Sequence, residues 1–159
     1  MKKIGIVMLF LTINITFACE CISSASFLDA AQSVELIVVA KVNKHTKFSK
    51  EPSYIYNDQK FPIEMELEII DKIKGEEEKK YISVRGDRGA DCLRYIMDFP
   101  VKTEWVFALV RDKNSYAIVS CGDYALKVKN KMVYGSISQK DKAKKRSIRR
   151  LKKEIRNNL

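Results

Sequence analysis

Four cysteines constrain the fold of this chain more than any other feature. Cys19 and Cys21 are separated by a single residue near the N-terminus, whereas Cys92 and Cys121 lie far downstream. An even number of cysteines in an exported chain is typical of a disulfide framework. A bridge between Cys19 and Cys21 would close a very small, strained ring. Two pairings are left, and each of them ties the N-terminus to the distant half of the chain.

The first 18 residues predict that the chain is exported. Lysines near the start precede an apolar stretch from Ile4 to Phe17, and Ala18 supplies a small residue at the cut. The stretch is too short to cross a bilayer, which needs about 20 apolar residues. We therefore expect residues 1–18 to be a removed signal peptide. The mature chain would begin at Cys19 and be secreted into the extracellular space, with no transmembrane span.

A lipoprotein signal is the alternative interpretation of the same segment. Cys19 would then carry a thioether-linked lipid and an acylated amine, and the protein would be anchored at Cys19. Thr16 and the bulky Phe17 are atypical of such a signal, so secretion is the main interpretation. The choice matters because lipidation would consume both the thiol and the amine of Cys19.

The net charge of +10 is concentrated in the C-terminal part of the chain. Between Lys127 and Leu159 there are 13 Lys and Arg residues against Asp141 and Glu154, a local balance of +11. The remainder of the chain is therefore close to neutral. The basicity is a property of the tail and not of the whole protein.

The segment from Ser138 to Ile155 is predicted to be a basic amphipathic helix. Ile148, Leu151 and Ile155 are three and four residues apart and would form one apolar face, with basic residues around the rest. The helix either packs this face on the domain or adheres to a polyanion or anionic surface, such as lipid or polysaccharide. Nucleic acid is not expected as a partner, because an exported chain rarely meets it and no stacking aromatics accompany the charges.

The rest of the chain is predicted to be one mainly β domain, residues 19–135, followed by the basic helix at 136–159. Ser26 would cap a short helix over Phe27–Gln32. Apolar and β-branched runs predict strands at Val34–Val42, Ile63–Ile70, Tyr81–Val84, Trp105–Val110 and Tyr116–Cys121, and a hairpin of Ala125–Val128 with Lys131–Tyr134. The expected product is a small antiparallel sheet or barrel.

Enzymatic motifs are weak in this sequence. His45, the only histidine, falls in a predicted polar loop from Asn43 to Pro62 and is interpreted as a solvated residue, which argues against a catalytic triad or a multi-histidine zinc site. Gly86 and Gly89 lack the lysine and helix of a phosphate-binding loop. The one-residue gap between the first two cysteines is shorter than that of zinc ligands or of a thiol-disulfide catalyst. We expect no enzyme activity, no cofactor and no metal of the chain's own.

Several short segments, taken in chain order, carry a resemblance to a known family. They are Cys19-Glu20-Cys21, Phe27–Ala31, Val34–Val42, Met65–Gly75, Ala90-Asp91-Cys92, Trp105–Leu109 and Ile118–Asp123. Together they cover roughly Cys19 to Val128, and this stretch resembles the N-terminal domain of the tissue inhibitors of metalloproteinases. The export signal and the lysine-rich composition are typical of a bacterial member.

The resemblance implies the fold and the disulfides. It implies a five- to six-stranded antiparallel OB-fold barrel of the netrin-like class, with a short N-terminal helix and a basic C-terminal helix. It also implies that Cys19 pairs with Cys92 and that Cys21 pairs with Cys121. The family's third bridge in this domain lacks both partners here, and its C-terminal cysteine-rich domain is replaced by the basic tail.

The resemblance further implies an inhibitory mechanism. In that family, the amine and carbonyl oxygen of the N-terminal cysteine chelate the catalytic zinc of the target protease and displace the water that the metal would activate. By carry-over, Cys19 chelates the zinc of a partner metalloprotease, and the chain itself catalyses nothing. The residues that would contact the protease are Glu20, Cys21, Ile22, Ala90, Asp91 and Cys92.

Glu20 departs from the family pattern, which has a small hydroxyl residue at this position. A carboxylate that enters a largely apolar pocket loses its hydration without an evident partner, at a cost of several kcal/mol. A target protease with a basic or wide specificity pocket would accommodate the Glu20 side chain. The alternative is a non-inhibitory netrin-like binding module at the cell surface, either free or lipid-anchored.

Overall fold

The computed structural model describes residues 21, 25–53, 57–89, 91–140 and 144–157. The predicted signal peptide, residues 1–18, lies outside this part of the chain. The elements are α1 (Phe27–Ser33), β1 (Leu36–Phe48), β2 (Pro62–Lys74), β3 (Tyr81–Arg85), a 3₁₀ turn (Ile96–Asp98), β4 (Glu104–Asp112), β5 (Ser115–Ala117), β6 (Ala125–Lys129), β7 (Met132–Tyr134), β8 (Lys145–Ser147) and α2 (Ile148–Asn157).

Five strands close a barrel in the order β1-β2-β3-β5-β4, and β4 pairs back onto β1. This is the strand order of an OB-fold, and it confirms the predicted fold class. Four of the five pairs are antiparallel, whereas β3 and β5 are parallel. A closed ring with an odd number of strands must contain a parallel pair, and in this barrel it is the β3–β5 pair. Strands β6, β7 and β8 extend the sheet beyond β4.

Strand β1 is buried on both faces, which explains its unbroken apolar run. Leu36 and Val38 point into the barrel, whereas Ile37 and Val39 point outward into a second apolar layer. This second layer is completed by side chains from α1, β4, the β6–β7 hairpin, the segment after β7 and α2: Phe27, Val106, Ala108, Leu126, Val133, Ile137, Leu151 and Ile155. The two cores therefore share β1 and β4 as a common wall.

Ser26 caps helix α1, as predicted. The N–H of Ser26 donates to the Asp29 carboxylate at 3.0 Å as part of a capping box, which satisfies a backbone donor that the first turn leaves open. The N–H of Phe27 donates to the carbonyl of Ser136 at 3.0 Å. Since Phe27 is also fully buried, the helix is fixed against the segment that follows β7.

The β1–β2 hairpin is longer than predicted, so the connection between the strands is residues 49–61 and not Asn43–Pro62. The outer part of the hairpin contains many charged residues, so its sequence pattern did not indicate strands. The Lys47 ammonium lies 2.7 Å from a carboxylate oxygen of Glu64 on the facing strand. Cross-strand ion pairs of this kind stabilise an exposed antiparallel pair.

His45 lies on β1 and is half-buried, so its interpretation as a solvated loop residue was wrong. Its Nε2–H donates to the carbonyl of Phe99 at 3.0 Å. Phe99 sits at the end of the 3₁₀ turn and is fully buried in the barrel. The histidine therefore links β1 to the segment that enters β4.

The C-terminal helix begins at Ile148, later than the predicted start at Ser138. Residues 145–147 form β8 instead, because β7 offers them a free edge to pair with. Leu151 and Ile155 are buried in the second core, as their spacing predicted. Arg146 is also buried, and it pairs with Glu154 of α2. Within the described ranges, no helix is both long enough and apolar enough to cross a bilayer.

Candidate functional site at the cystine end of the barrel

The N-terminal segment is joined covalently to the loop that follows β5. Cys21 and Cys121 form a disulfide with their Cα atoms 5.2 Å apart, across a sequence separation of 100 residues. This confirms the pairing that the resemblance implied. Nearby, the N–H of Asp123 donates to the carbonyl of Ala25 at 2.9 Å. The segment is therefore held at two points on the same short loop.

Gly122 is required for this close approach. It has a φ of +120°, a conformation that favours glycine. A Cβ at this position would lie 2.8 Å from the carbonyl oxygen of Ala25. The sequence Cys121-Gly122-Asp123 is thus shaped to receive the N-terminal segment.

Cys92 lies against the residue that precedes Cys121. Its carbonyl accepts hydrogen bonds from the Ser120 N–H at 3.1 Å and from the Ser120 hydroxyl at 2.9 Å. Cys92 is itself disulfide-bonded. Its expected partner, Cys19, lies outside the described residues, so the Cys19–Cys92 bridge stays a prediction.

Asp87 shapes the loop that leads to Cys92. Its side chain is buried, and one carboxylate oxygen accepts the N–H of Gly89 at 2.6 Å and the N–H of Asp91 at 3.1 Å. The sequence analysis missed this residue. An aspartate two positions before a glycine is typical of such a turn. This pattern could have identified Asp87 from the sequence.

Two arginines engage the carboxylate of Asp91. Arg85 Nη1 and Arg88 Nε each lie 2.7 Å from one of its oxygens, and Arg85 Nε also lies 2.7 Å from Asp112. The hydrogen bond from Arg88 is the main cause that lowers the pKa of the Asp91 carboxyl, assisted by the charges of both arginines. A partner that approaches here meets the exposed guanidinium of Arg88 and not a free carboxylate.

A cleft lies on either side of this loop, whose described residues, 87–89, 91 and 92, we call the cystine ridge. One cleft of about 420 Å³ runs between the ridge and the 3₁₀ turn, with Leu93 and Tyr95 in its walls. The other, of about 670 Å³, runs toward the β1–β2 connection and is lined by Phe61 and Ile63. Gly89 borders both clefts. The ridge therefore stands out from its surroundings at one end of the barrel.

The predicted contact residues fall into two groups. Cys21, Asp91 and Cys92 lie at the same end of the barrel, around residues 120–123. The others lie outside the described residues: Cys19, Glu20, Ile22 and Ala90. The predicted contact residues that the structure describes therefore lie at the same end of the barrel.

No protein-family profile and no curated protein sequence matches this chain. The fold and the site define a class, an OB-fold barrel whose N-terminal segment is tied by a disulfide to the loop after β5. The assignment to a particular family stays a prediction that rests on the segments quoted above.

Proposed function

We propose that this chain is a secreted inhibitor of a metalloendopeptidase and that Cys19 chelates the zinc of its target through its amine and its carbonyl oxygen. The observation that carries the proposal is the anchorage of the N-terminal segment. The Cys21–Cys121 bridge and the Ala25–Asp123 hydrogen bond hold the residues that follow Cys19. A segment held in this way loses little conformational entropy on binding.

The surroundings of the anchored segment fit insertion into a protease cleft. The cystine ridge is bordered by clefts on both sides, so it is available to a concave partner. Its charges are largely neutralised by one another, because Asp91 is paired with both Arg85 and Arg88. A partner would therefore meet the exposed guanidinium of Arg88 rather than an unpaired Asp91 carboxylate, and covering that guanidinium requires an acceptor in the partner. Glu20 is the charge that selects the target, and it favours a wide or basic specificity pocket.

The decisive experiment compares the natural mature chain with a variant that carries one alanine before Cys19. The extension blocks the chelating amine but leaves every cysteine in place. We expect the natural chain to inhibit at least one member of a broad metalloendopeptidase panel, and the extended chain to be at least about 100-fold weaker. Equal inhibition by the two forms, or no inhibition by an intact N-terminus across the panel, would overturn the proposal.

A second experiment tests the role assigned to Glu20. Glu20→Thr restores the small hydroxyl residue that the family pattern has at this position. We expect this variant to gain inhibition of proteases with apolar pockets, because a buried carboxylate no longer has to be desolvated. Glu20→Gln, which keeps the shape and removes the charge, is the matched control. Unchanged selectivity in both variants would show that Glu20 does not enter the specificity pocket of the target protease.

A second candidate function is that of a non-inhibitory netrin-like module at the cell surface, free or lipid-anchored at Cys19. Helix α2 favours it: Leu151 and Ile155 hold the helix on the barrel, while Arg149, Lys153 and Arg156 face solvent. Charge of this kind attracts a polyanion or an anionic surface. Intact mass spectrometry of the exported chain tests the lipid-anchored form of this candidate, because lipid on Cys19 would abolish the chelating amine. The protease panel described above distinguishes the free form from an inhibitor.

A further inference from the structure

A row of alternating aromatic and basic side chains crosses the sheet from β4 to β8. The strand register sets Trp105 beside Lys127, Lys127 beside Tyr134, and Tyr134 beside Lys145. Directly paired residues project from the same face of a sheet, so the four side chains form one line. The Lys127 ammonium lies 6.0 Å from the centroid of the Trp105 ring, and that of Lys145 lies 5.5 Å from the Tyr134 ring.

The positive charge of this face is available to a partner. Lys127, Lys129 and Lys145 are exposed, and within the described part of the chain none of them forms an ion pair. Strands β6, β7 and β8 contain no Asp or Glu. Arg146 is different, because it lies on the opposite face of β8 and pairs with Glu154. The register thus separates a structural arginine from exposed lysines.

We propose that this face binds an acidic polysaccharide. Lys127 and Lys145 are two strands apart, about 10 Å across the sheet, which is about the length of one disaccharide, so that anionic groups on successive disaccharides can reach both lysines. Tyr134 lies between them and offers a flat ring to the apolar face of a sugar. The lysines would bind the carboxylate or sulfate groups of the polysaccharide, while Trp105 extends the stacking surface. The row therefore supplies both kinds of contact that a charged sugar polymer needs.

The structure favours this ligand over the other polyanions. A membrane-binding surface inserts protruding apolar side chains among its charges, whereas Tyr134 is only 36% exposed and is flanked by lysines. Single-stranded nucleic acid also uses aromatic and basic side chains. However, the Cys21–Cys121 disulfide is typical of proteins that work in an oxidising, extracellular environment, where nucleic acid is rarely met. The inference rests on the binding-module candidate only for the class of ligand: it assigns the contact to the sheet face and not to the outer face of α2, and it is independent of zinc chelation.

The test uses the full mature chain, a size-defined heparin oligosaccharide as the probe and uncharged dextran as the control. Trp105 is the only tryptophan of the chain, so its fluorescence reports occupancy of the row directly. The sheet variant combines Lys127→Glu, Lys129→Glu and Lys145→Glu. The matched control on the outer face of α2 combines Arg149→Glu, Lys153→Glu and Arg156→Glu, with the same change in net charge.

We expect heparin, but not dextran, to change the Trp105 emission and the sheet variant to bind more than about tenfold more weakly than the control variant. Tyr134→Ala should weaken binding with no change in net charge. Equal losses in the two charge variants, or binding that leaves the Trp105 emission unchanged, would overturn the proposal. Tighter binding of a thymidine oligonucleotide or of anionic phospholipid vesicles would also overturn it. If the sheet variant unfolds, Lys→Gln at the same three positions gives the same comparison.

The outcome is separable from that of the inhibitory function. The row runs from Trp105 on β4 to Lys145 on β8, and none of its residues belongs to the cystine ridge or to the N-terminal segment. The sheet variant should therefore inhibit a target protease as well as the natural chain. The alanine-extended chain should bind heparin as well as the natural chain.

Discussion

The cystine end of the barrel and the C-terminal unit (β6–β8 with α2) use charge in opposite ways. At the cystine end, Asp87 serves the backbone of its own loop and Asp91 is held by two arginines. On the C-terminal sheet, Lys127 and Lys145 face solvent beside aromatic rings. In the first region charge fixes the shape of a loop. In the second region apolar packing and the pairing of the buried Arg146 with Glu154 fix the shape, and the exposed lysines are left for a partner.

The largest expected effect follows from removing the covalent tie at the cystine end. Replacing both Cys21 and Cys121 by serine releases a loop of 100 residues, which should lower the free energy of unfolding by about 4 kcal/mol on the chain-entropy estimate. Urea unfolding of the oxidised protein and of the double variant measures the difference. A loss below about 1 kcal/mol would mean that the contacts around Ala25 hold the segment by themselves.

The matching test of the C-terminal unit removes apolar packing. Leu151 is fully buried in the second core, so Leu151→Ala should cost about 3 kcal/mol of stability. Lys153→Ala, on the exposed side of the same helix, should cost less than about 0.5 kcal/mol. Thermal or urea unfolding measures both. Similar losses at the two positions would show that helix propensity, and not the second core, holds α2.

A smaller effect is expected from the loop aspartate. Asp87→Ala leaves the N–H groups of Gly89 and Asp91 without their acceptor, which should cost about 2 kcal/mol. Asp87→Asn keeps an acceptor oxygen and should cost less. Urea unfolding ranks the three proteins. An alanine variant as stable as the natural chain would show that water replaces the carboxylate at the ridge.

The smallest effect is a dependence on pH. The Arg88 hydrogen bond and the arginine charges hold the pKa of Asp91 below its usual range. The stabilisation is thus present above the unfolded-state pKa and is lost as the pH falls below about 4. Because Asp91 is partly exposed, we expect less than about 1 kcal/mol. Asp91→Asn should flatten the acid limb of the stability curve, and superimposable acid limbs would contradict this.

Much of the barrel could be predicted because its strands are locally distinctive. The apolar run around Val38 and the alternating segment around Leu67 identify β1 and β2 without tertiary information. Strand β8 could not be predicted, because Lys145-Arg146-Ser147 has the composition of an exposed helix. It becomes a strand through the free edge of β7, and strand formation depends strongly on such context.

The candidate sites, like β8, depend in part on tertiary contacts that the sequence does not reveal. The Cys21–Cys121 pair was reachable from cysteine spacing and resemblance, because a covalent bond requires particular residues. The pairing of Arg85 with both Asp91 and Asp112 depends on which loops meet, which a linear pattern does not reveal. The row from Trp105 to Lys145 likewise exists only through strand register. This is why the lysines first looked unaccompanied by aromatics.

The shared wall formed by β1 and β4 also determines the order in which this protein can mature. Ile37 and Val106 face the second core, and that core is closed by Leu151 and Ile155, which leave the ribosome after every barrel strand. The outer side of the wall therefore stays uncovered until residues 148–155 have been synthesised. Under the proposed export, in which the chain would cross a channel unfolded, this delay would postpone closure of the second core until after passage.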